Sequence, residues 1–292
     1  MTDSIIKKAV FPVAGLGTRI LPATKSIPKE LLPVVDKPIL QYVVDEAINA
    51  GITELVFVVS RTKTSIQDYL DKSYELETEL EKKNKSKELE LLRSLIPDDV
   101  HCAYVRQSEA LGLGHAILCA RAAVGNEPFA VILPDDLMED EFLLKKMVDK
   151  YQEKQASIIA VEPVDRERTD RYGIVDIAES DNDLHRINKI VEKPAPEKAP
   201  SNLAVVGRYI LTPEIFPLLE KTEPGVGGEI QVTDAIAALL KKEDVYAWEF
   251  HGKRFDCGHK SGYLEAIVHY ALANEEVGPE FRDLIRESLQ EN

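Results

Sequence analysis

Between positions 14 and 29 the chain places glycines and cations on one stretch punctuated by prolines. It reads Ala14-Gly15-Leu16-Gly17-Thr18-Arg19, then Lys25 and Lys29, with Pro22, Pro28 and Pro33 and the apolar Ile20, Leu21, Ile27, Leu31 and Leu32 interleaved. Glycines let backbone N–H groups come close to a phosphate, and arginine adds a planar fork of donors that suits phosphate oxygens. A dinucleotide fingerprint needs a third glycine where Ile20 stands, followed by a helix that the prolines oppose. A P-loop needs a closing Gly-Lys-Ser/Thr, which this stretch lacks. An ordinary strand-to-loop turn remains a reading of the glycines alone. The alternation of cations with apolar residues and prolines favours a fixed loop able to clamp a polyphosphate.

Two acidic segments supply complementary chemistry. Asp135-Asp136 follows the apolar run 129–133. Such a pair either caps the next element or binds Mg²⁺, which prefers one or two carboxylates together with phosphate oxygens and water. Glu192-Lys193 ends another apolar run just before Pro194, and is either an exposed charge pair or a ligand clamp. The six histidines show no metal-ligand spacing beyond a weak Cys257-Gly258-His259. There is no Ser-His-Asp spacing and no Gly-x-Ser-x-Gly.

These residues must be positioned by an alternation of strands and helices. Residues 8–13, 55–59, 101–105 and 129–133 are short apolar runs that read as buried strands. Ile39, Val43, Ala47 and Ala50 recur at helical spacing and Gly51 closes that helix, while 112–124 reads as another. Residues 64–95 read as polar helices. The rhythm predicts an α/β fold with a Rossmann-like, mixed but mainly parallel sheet flanked by helices. Past residue 155, closely spaced strands (157–161, 172–177, 187–191, 205–211) predict a smaller mixed-sheet substrate lobe, with an exposed loop at 194–200 and helices at 213–219, 232–242 and 260–274. The expected organisation is one domain over 1–292. Residues 1–155 are expected to form a first half that carries the phosphate-clamping loop and 156–275 a second, substrate half, with a helical insertion at 73–97 and a C-terminal helix at 276–292.

Composition narrows the function. The 292 residues hold 36 basic and 51 acidic side chains, a net charge of −15 that disfavours nucleic acid and anionic membranes as partners. The first 30 residues reverse the field locally, with five cations against two acids. No apolar run reaches a membrane span, no secretory signal is seen, and three scattered cysteines give no disulfide framework, so a reduced cytoplasm is expected.

The ordered motifs resemble those of the sugar-nucleotide pyrophosphorylases. The glycine segment continues through Leu21-Pro22-Ala23-Thr24-Lys25 and Pro28-Lys29-Glu30 into Asp36-Lys37-Pro38. Gln107 then stands before Gly112-Leu113-Gly114-His115-Ala116, with Leu133-Pro134-Asp135-Asp136 and Tyr172-Gly173-Ile174-Val175 beyond it. The series closes with Val191-Glu192-Lys193-Pro194, Gly228-Glu229-Ile230-Gln231-Val232-Thr233-Asp234 and Phe255-Asp256-Cys257-Gly258. The resemblance spans about residues 8–275 and implies attack by the phosphate of glucose 1-phosphate on the α-phosphorus of UTP, giving UDP-glucose and pyrophosphate.

By that resemblance Arg19, Lys29 and Lys193 are the catalytic cations: Lys29 near the α-phosphate, Arg19 toward the pyrophosphate, Lys193 on the sugar phosphate. Asp135 and Asp256 would hold Mg²⁺. Ala14, Gly15, Gly17, Thr18, Lys25, Glu30, Gln107, Gly112 and Asp136 would surround the nucleotide, with Gln107 at the uracil edge. Gly173, Glu192, Val205 and Glu229 would hold the sugar, with Asp234 either supporting them or starting a helix. A similar insertion in the family implies a homo-oligomer, dimer or tetramer. The alternatives are the same chemistry with dTTP, and a regulatory paralogue that binds sugar nucleotides without turnover. The intact Thr18-Arg19, Lys29, Asp135 and Asp256 argue against the paralogue.

Overall fold

A computed structural model describes residues 6–290, so Glu291 and Asn292 at the end of the expected C-terminal helix lie outside the described residues. In chain order the strands begin with β1 (Lys8–Pro12), the short pair β2 (Pro33–Val34) and β3 (Lys37–Pro38), β4 (Glu54–Val59), β5 (His101–Arg106), β6 (Phe129–Ile132) and β7 (Asp136–Met138). They continue with β8 (Ser157–Pro163), β9 (Gly173–Asp181), β10 (Leu184–Glu192), β11 (Leu203–Leu211), β12 (Val245–Glu249) and β13 (Arg254–Asp256). The helices of the first part are α1 (Ile39–Asn49), α2 (Thr64–Leu70), α3 (Tyr74–Lys82), α4 (Ser86–Ser94), α5 (Leu113–Cys119), α6 (Arg121–Val124) and α7 (Leu143–Lys154). Those of the second are α8 (Ile215–Leu219), α9 (Val232–Leu239), α10 (Lys260–Ala273) and α11 (Gly278–Gln290).

Nine strands form one mixed sheet in the order β5-β4-β1-β6-β11-β8-β12-β10-β9. The first four are parallel, with Val10 opposite both Val56 and Val131. Antiparallel β11 then lies between β6 and β8, and the β9–β10 hairpin closes the far edge. The change of rhythm past residue 155 is thus the antiparallel part of the same sheet. Side chains alternate across it: Ala9 and Phe11 pack with α1 and α7 residues on one face, Val10 with α5 and α9 residues on the other. Phe11 and Phe57, both fully buried, stack at 4.8 Å between centroids.

Two local expectations differ. The helix expected over 112–124 is broken at Ala120, whose N–H turns back to Ile117 O at 3.0 Å, giving α5 and α6. The loop 194–200 is not simply exposed. Pro194 and Ala199 are buried, and Arg166 Nη2 donates to Ala199 O at 2.8 Å, docking the loop on the 3₁₀ turn Arg166–Arg171.

Candidate active site

β1, β4 and β5 run parallel, so the segments that leave them gather at one carboxyl edge, the usual ligand position in open α/β sheets. After β1 the chain makes three 3₁₀ turns, Thr18–Ile20, Ala23–Lys25 and Lys29–Leu31, where the prolines forbid a long helix. Gly17 has φ +65°, which only glycine adopts cheaply, and Thr24 Oγ1 donates to its carbonyl at 2.7 Å. A Cβ on Gly15 would meet open space. Ala14 is buried, while Thr18, Arg19 and Lys25 are exposed.

Lys29 is half-buried, and its Nζ donates to Asp135 Oδ2 at 2.5 Å. Burial works against its charge, yet Asp135 and Glu30 outweigh that and hold the ammonium above the ordinary lysine range. Burial likewise opposes charge on Asp135, but Lys29 prevails and depresses its pKa. Glu30, expected at the nucleotide, turns inward instead. It is 1% exposed, and both its oxygens accept from Lys63 Nζ at 2.9 and 2.7 Å. Its place is under the cationic loop.

Asp256 reaches Asp135 through a small antiparallel pair that sequence spacing does not announce. β13 pairs with β7 so that Asp256 stands opposite Asp136. An ideal Cβ on Gly258 would lie 2.7 Å from Asp135 Oδ2, 2.9 Å from Asp256 Oδ1 and 3.6 Å from Arg19 Nη1. The two carboxylates therefore border a cradle that a single methyl group would fill. Burial first, and Asp136 second, raise the Asp256 pKa. Among the described residues no group of three or more His, Cys, Asp or Glu side chains could hold a metal. Two hard carboxylates fit Mg²⁺, which completes its shell with phosphate and water. Cys257 is buried in the core, which excludes the weak Cys257/His259 pairing; His259 Nε2 lies 3.1 Å from Arg19 Nη1.

Asp136 caps no helix. It opens β7, accepting from Gly207 N–H at 2.9 Å and from Arg254 Nη1 at 2.6 Å. Arg254, not anticipated from the sequence, also donates to Glu162 Oε1 at 2.6 Å and to the Tyr172 hydroxyl at 3.1 Å. It ties the carboxylate strand to the segment before Gly173. A second unanticipated cation, Arg208, is fully buried. It forms a two-point pair with Glu46 and donates to Leu133 O at 3.2 Å, fixing the chain just before Asp135.

Three of the four residues expected at the sugar, Gly173, Glu192 and Val205, come together on β9, β10 and β11. A Cβ on Gly173 would meet Thr233 Cγ2 at 2.6 Å, Glu192 Oε2 at 3.4 Å and Val205 Cγ2 at 3.6 Å. Thr233, assigned no role from the sequence, donates to Glu192 Oε2 at 2.7 Å. Lys193 holds φ +43°, with its N–H on Tyr172 O at 2.9 Å and its Nζ 3.1 Å from Glu192 Oε1. Asp234 lies in the first turn of α9, and its pKa is raised by burial and by Glu192. Glu229 packs on Gly112, whose φ of +91° and crowded Cβ position, 2.6 Å from Glu229 Cβ, both require glycine. Gln107 follows β5, buried beside Gly112.

Residues 8–272 match the family model described as nucleotidyl transferase. The chain is 51% identical over 290 residues to a UTP–glucose-1-phosphate uridylyltransferase of Haemophilus ducreyi, an alignment covering 96% of this chain and 98% of that one. Among solved structures it is similar to a UTP-bound UGPase from Acinetobacter baumannii, with TM-score 0.90, 49% identity, and 97% and 99% of the two chains covered. It is also similar to a UDP-glucose pyrophosphorylase complexed with UDP-glucose, with TM-score 0.84, 47% identity, and 92% and 100% covered.

Proposed function

The chain belongs to the nucleotidyl transferase family, and from that premise we propose that it joins UTP to glucose 1-phosphate, releasing pyrophosphate and UDP-glucose. A phosphate oxygen of the sugar forms a bond to the α-phosphorus of UTP, and the bond from that phosphorus to the bridging β-phosphate oxygen breaks. The second pKa of a phosphomonoester is about 6, so the nucleophile is already anionic near neutrality and no general base is needed. The task of the protein is to hold two polyanions in line and offset the charge that develops.

The observation that carries this reading is the convergence of Lys29, Asp135, Asp256 and Arg19 around the Gly258 cradle. Asp135 and Asp256 would hold Mg²⁺, which when bound offsets charge on the phosphate oxygens. Lys29 is released from Asp135 toward the α-phosphate, and Arg19 faces the departing pyrophosphate. Ala14, Gly15, Gly17 and Thr18 cradle the triphosphate through their backbone, with Lys25 beside them. Glu30 acts through Lys63 and Lys29, and Asp136 through Arg254, as supports rather than ligands. Glu192, held by Thr233, accepts from glucose hydroxyls, and Lys193 meets the sugar phosphate. Gly173 and Val205 shape the wall beside them, while Glu229 packs against Gly112. The insertion α3–α4 leaves Tyr74 70% and Leu91 63% exposed, which supports a homo-oligomer.

The test is pyrophosphate release with glucose 1-phosphate and Mg²⁺, comparing UTP with dTTP, ATP, CTP and GTP. Preference for UTP, abolished by chelator, is expected. A preference for dTTP would change the product while keeping the mechanism, and no release from folded protein that binds UDP-glucose would favour a regulatory paralogue.

A further inference from the structure

One buried amide, that of Gln107, has both its hydrogens engaged within the protein. Gln107 stands at the carboxyl edge of β5, its backbone N–H on Val59 O at 3.0 Å, and it is 7% exposed. Its Nε2 lies 3.1 Å from Gly112 O and 3.1 Å from His115 Nδ1. A carbonyl oxygen only accepts, so the group facing Gly112 is the NH₂. An amide NH₂ only donates, so Nδ1 of His115 is the bare nitrogen and the ring proton sits on Nε2. That proton faces Cys119 Sγ at 3.8 Å, one helical turn along α5. Burial raises the Cys119 pKa, keeping it a neutral thiol able to accept weakly. Both amide hydrogens are thereby engaged within the protein. Oε1 is left as the free group. Among the described residues it has no hydrogen-bond partner, and because no buried side-chain oxygen or nitrogen there lacks one, Oε1 opens to solvent.

We propose that His115 is a positioning residue for base selection: it locks the Gln107 amide with its oxygen toward the nucleotide, so the site accepts a pyrimidine that carries N3–H and rejects cytosine. Uracil and thymine donate from N3, whereas cytosine N3 is a lone pair that would face the Gln107 oxygen with no hydrogen between them. A flipped amide would meet cytosine correctly, but it would set two carbonyl oxygens together at Gly112. Gly112 cannot move aside: its φ is +91°, and it is wedged against Glu229 and Ile230. Its neighbour Gly114 donates to Ile230 O at 2.9 Å. The lock does not distinguish dTTP from UTP, since both bases present the same N3–H. This inference rests on the uridylyltransferase reading and deepens it.

The experiment measures pyrophosphate release with glucose 1-phosphate and UTP, dTTP or CTP for the parent, His115→Phe and His115→Gln. The parent should prefer UTP over CTP by roughly 10²–10⁴-fold in kcat/KM, the range expected when a buried acceptor is left facing another acceptor. His115→Phe frees one amide hydrogen, and the UTP/CTP ratio should fall by about tenfold or more while the UTP/dTTP ratio stays put. His115→Gln, whose carbonyl can accept the same hydrogen, should restore the UTP/CTP ratio. A His115→Phe protein that loses activity equally with all three nucleotides, or keeps the parent ratio, overturns the proposal, and so does a parent that uses CTP as readily as UTP. If the variants fail to fold, ¹⁵N NMR of the histidine ring in the parent decides. A bare Nδ1 with a proton on Nε2 is required, and the opposite tautomer overturns it. A parent that turns over no nucleotide would sink the uridylyltransferase reading, and the ring tautomer would still judge the lock.

Discussion

Lys29 Nζ and Asp135 Oδ2 lie 2.5 Å apart, so the cation proposed for the α-phosphate and the carboxylate proposed for the metal neutralise each other. On the proposed reading the metal would take Asp135 and the nucleotide Lys29, each at the expense of that pair. Lys29→Met should accordingly bind Mg²⁺ more tightly than the parent in the absence of nucleotide. Its turnover should fall by about 10²–10³-fold, as when a transition-state donor is removed. Calorimetric titration of both proteins checks the first effect. Unchanged metal affinity would mean that the ion pair does not mask the site.

The same pair has a pH signature. The Asp135 pKa is held below its ordinary 3.8, so its contribution to stability is complete above that value and lost as pH falls through the depressed one. The Lys29 pKa is held above 10.5, so its contribution is complete below that value and lost as pH rises through the elevated one. The melting-temperature gap between the parent and Asp135→Asn/Lys29→Met should be flat from about pH 5 to about pH 10 and narrow at either extreme. A gap that narrows at neutral pH would contradict the geometry.

Lys193 keeps its left-handed backbone because its N–H is pinned to Tyr172 O and its neighbour Glu192 is pinned to Thr233. Lys193→Ala should keep the fold and lower turnover by about 10²–10³-fold through loss of a charge aimed at the reacting phosphates. Near-parent activity would remove it from the reaction. Thr233→Val, which leaves Glu192 short of a donor, should raise KM for glucose 1-phosphate by about tenfold while leaving KM for UTP near its parent value.

What the sequence made legible is local. The glycine turn, the proline-broken loop after it and the Asp135 strand end all follow from residue type and spacing over a few positions. The charged supports did not, because a charge in sequence reads as surface. Arg208 nonetheless left a signal, as a lone cation inside the apolar strand Leu203–Leu211 that must bury with a partner. Arg254 left one too: it stands two residues before Asp256, and alternation along β13 puts both on one face. Lys63 left none, since its partner Glu30 is fixed only by how the first loop folds back. The insertion of β11 between β6 and β8 was equally silent, because pairing across such distances depends on the whole sheet.

Arg254 is 6% exposed at its side chain and engages Asp136, Glu162 and Tyr172. Burial already raises the Glu162 pKa, so without the guanidinium two half-buried carboxylates would be left without their shared cation, Asp136 keeping only the Gly207 N–H. Arg254→Met should destabilise the protein by about 3–5 kcal/mol, the cost of breaking a buried pair from one side. Chemical denaturation measures this. A loss below about 1 kcal/mol would show that Asp136 and Glu162 find other partners or water.

Removing the carboxylate and filling the space beside it separate two ways of losing the metal. Asp256→Asn removes one proposed ligand, and the Mg²⁺ concentration needed for half-maximal turnover should rise steeply; an unchanged titration would take Asp256 out of the metal site. Gly258→Ala leaves every carboxylate in place and adds one methyl group. Gly258 is not in the left-handed region, so the backbone accepts alanine, and the clashing atoms are Asp135 Oδ2 at 2.7 Å and Asp256 Oδ1 at 2.9 Å. Both are side-chain ends rather than backbone, but Asp135 Oδ2 accepts from Lys29 Nζ and Asp256 Oδ1 from the Gly258 N–H at 3.0 Å, so the methyl group displaces them at the expense of those two bonds. The variant should therefore fold with a modestly lowered melting temperature while its Mg²⁺ requirement rises as in Asp256→Asn. If Gly258→Ala instead kept the parent metal titration, the space between the two carboxylates would not be where the metal sits.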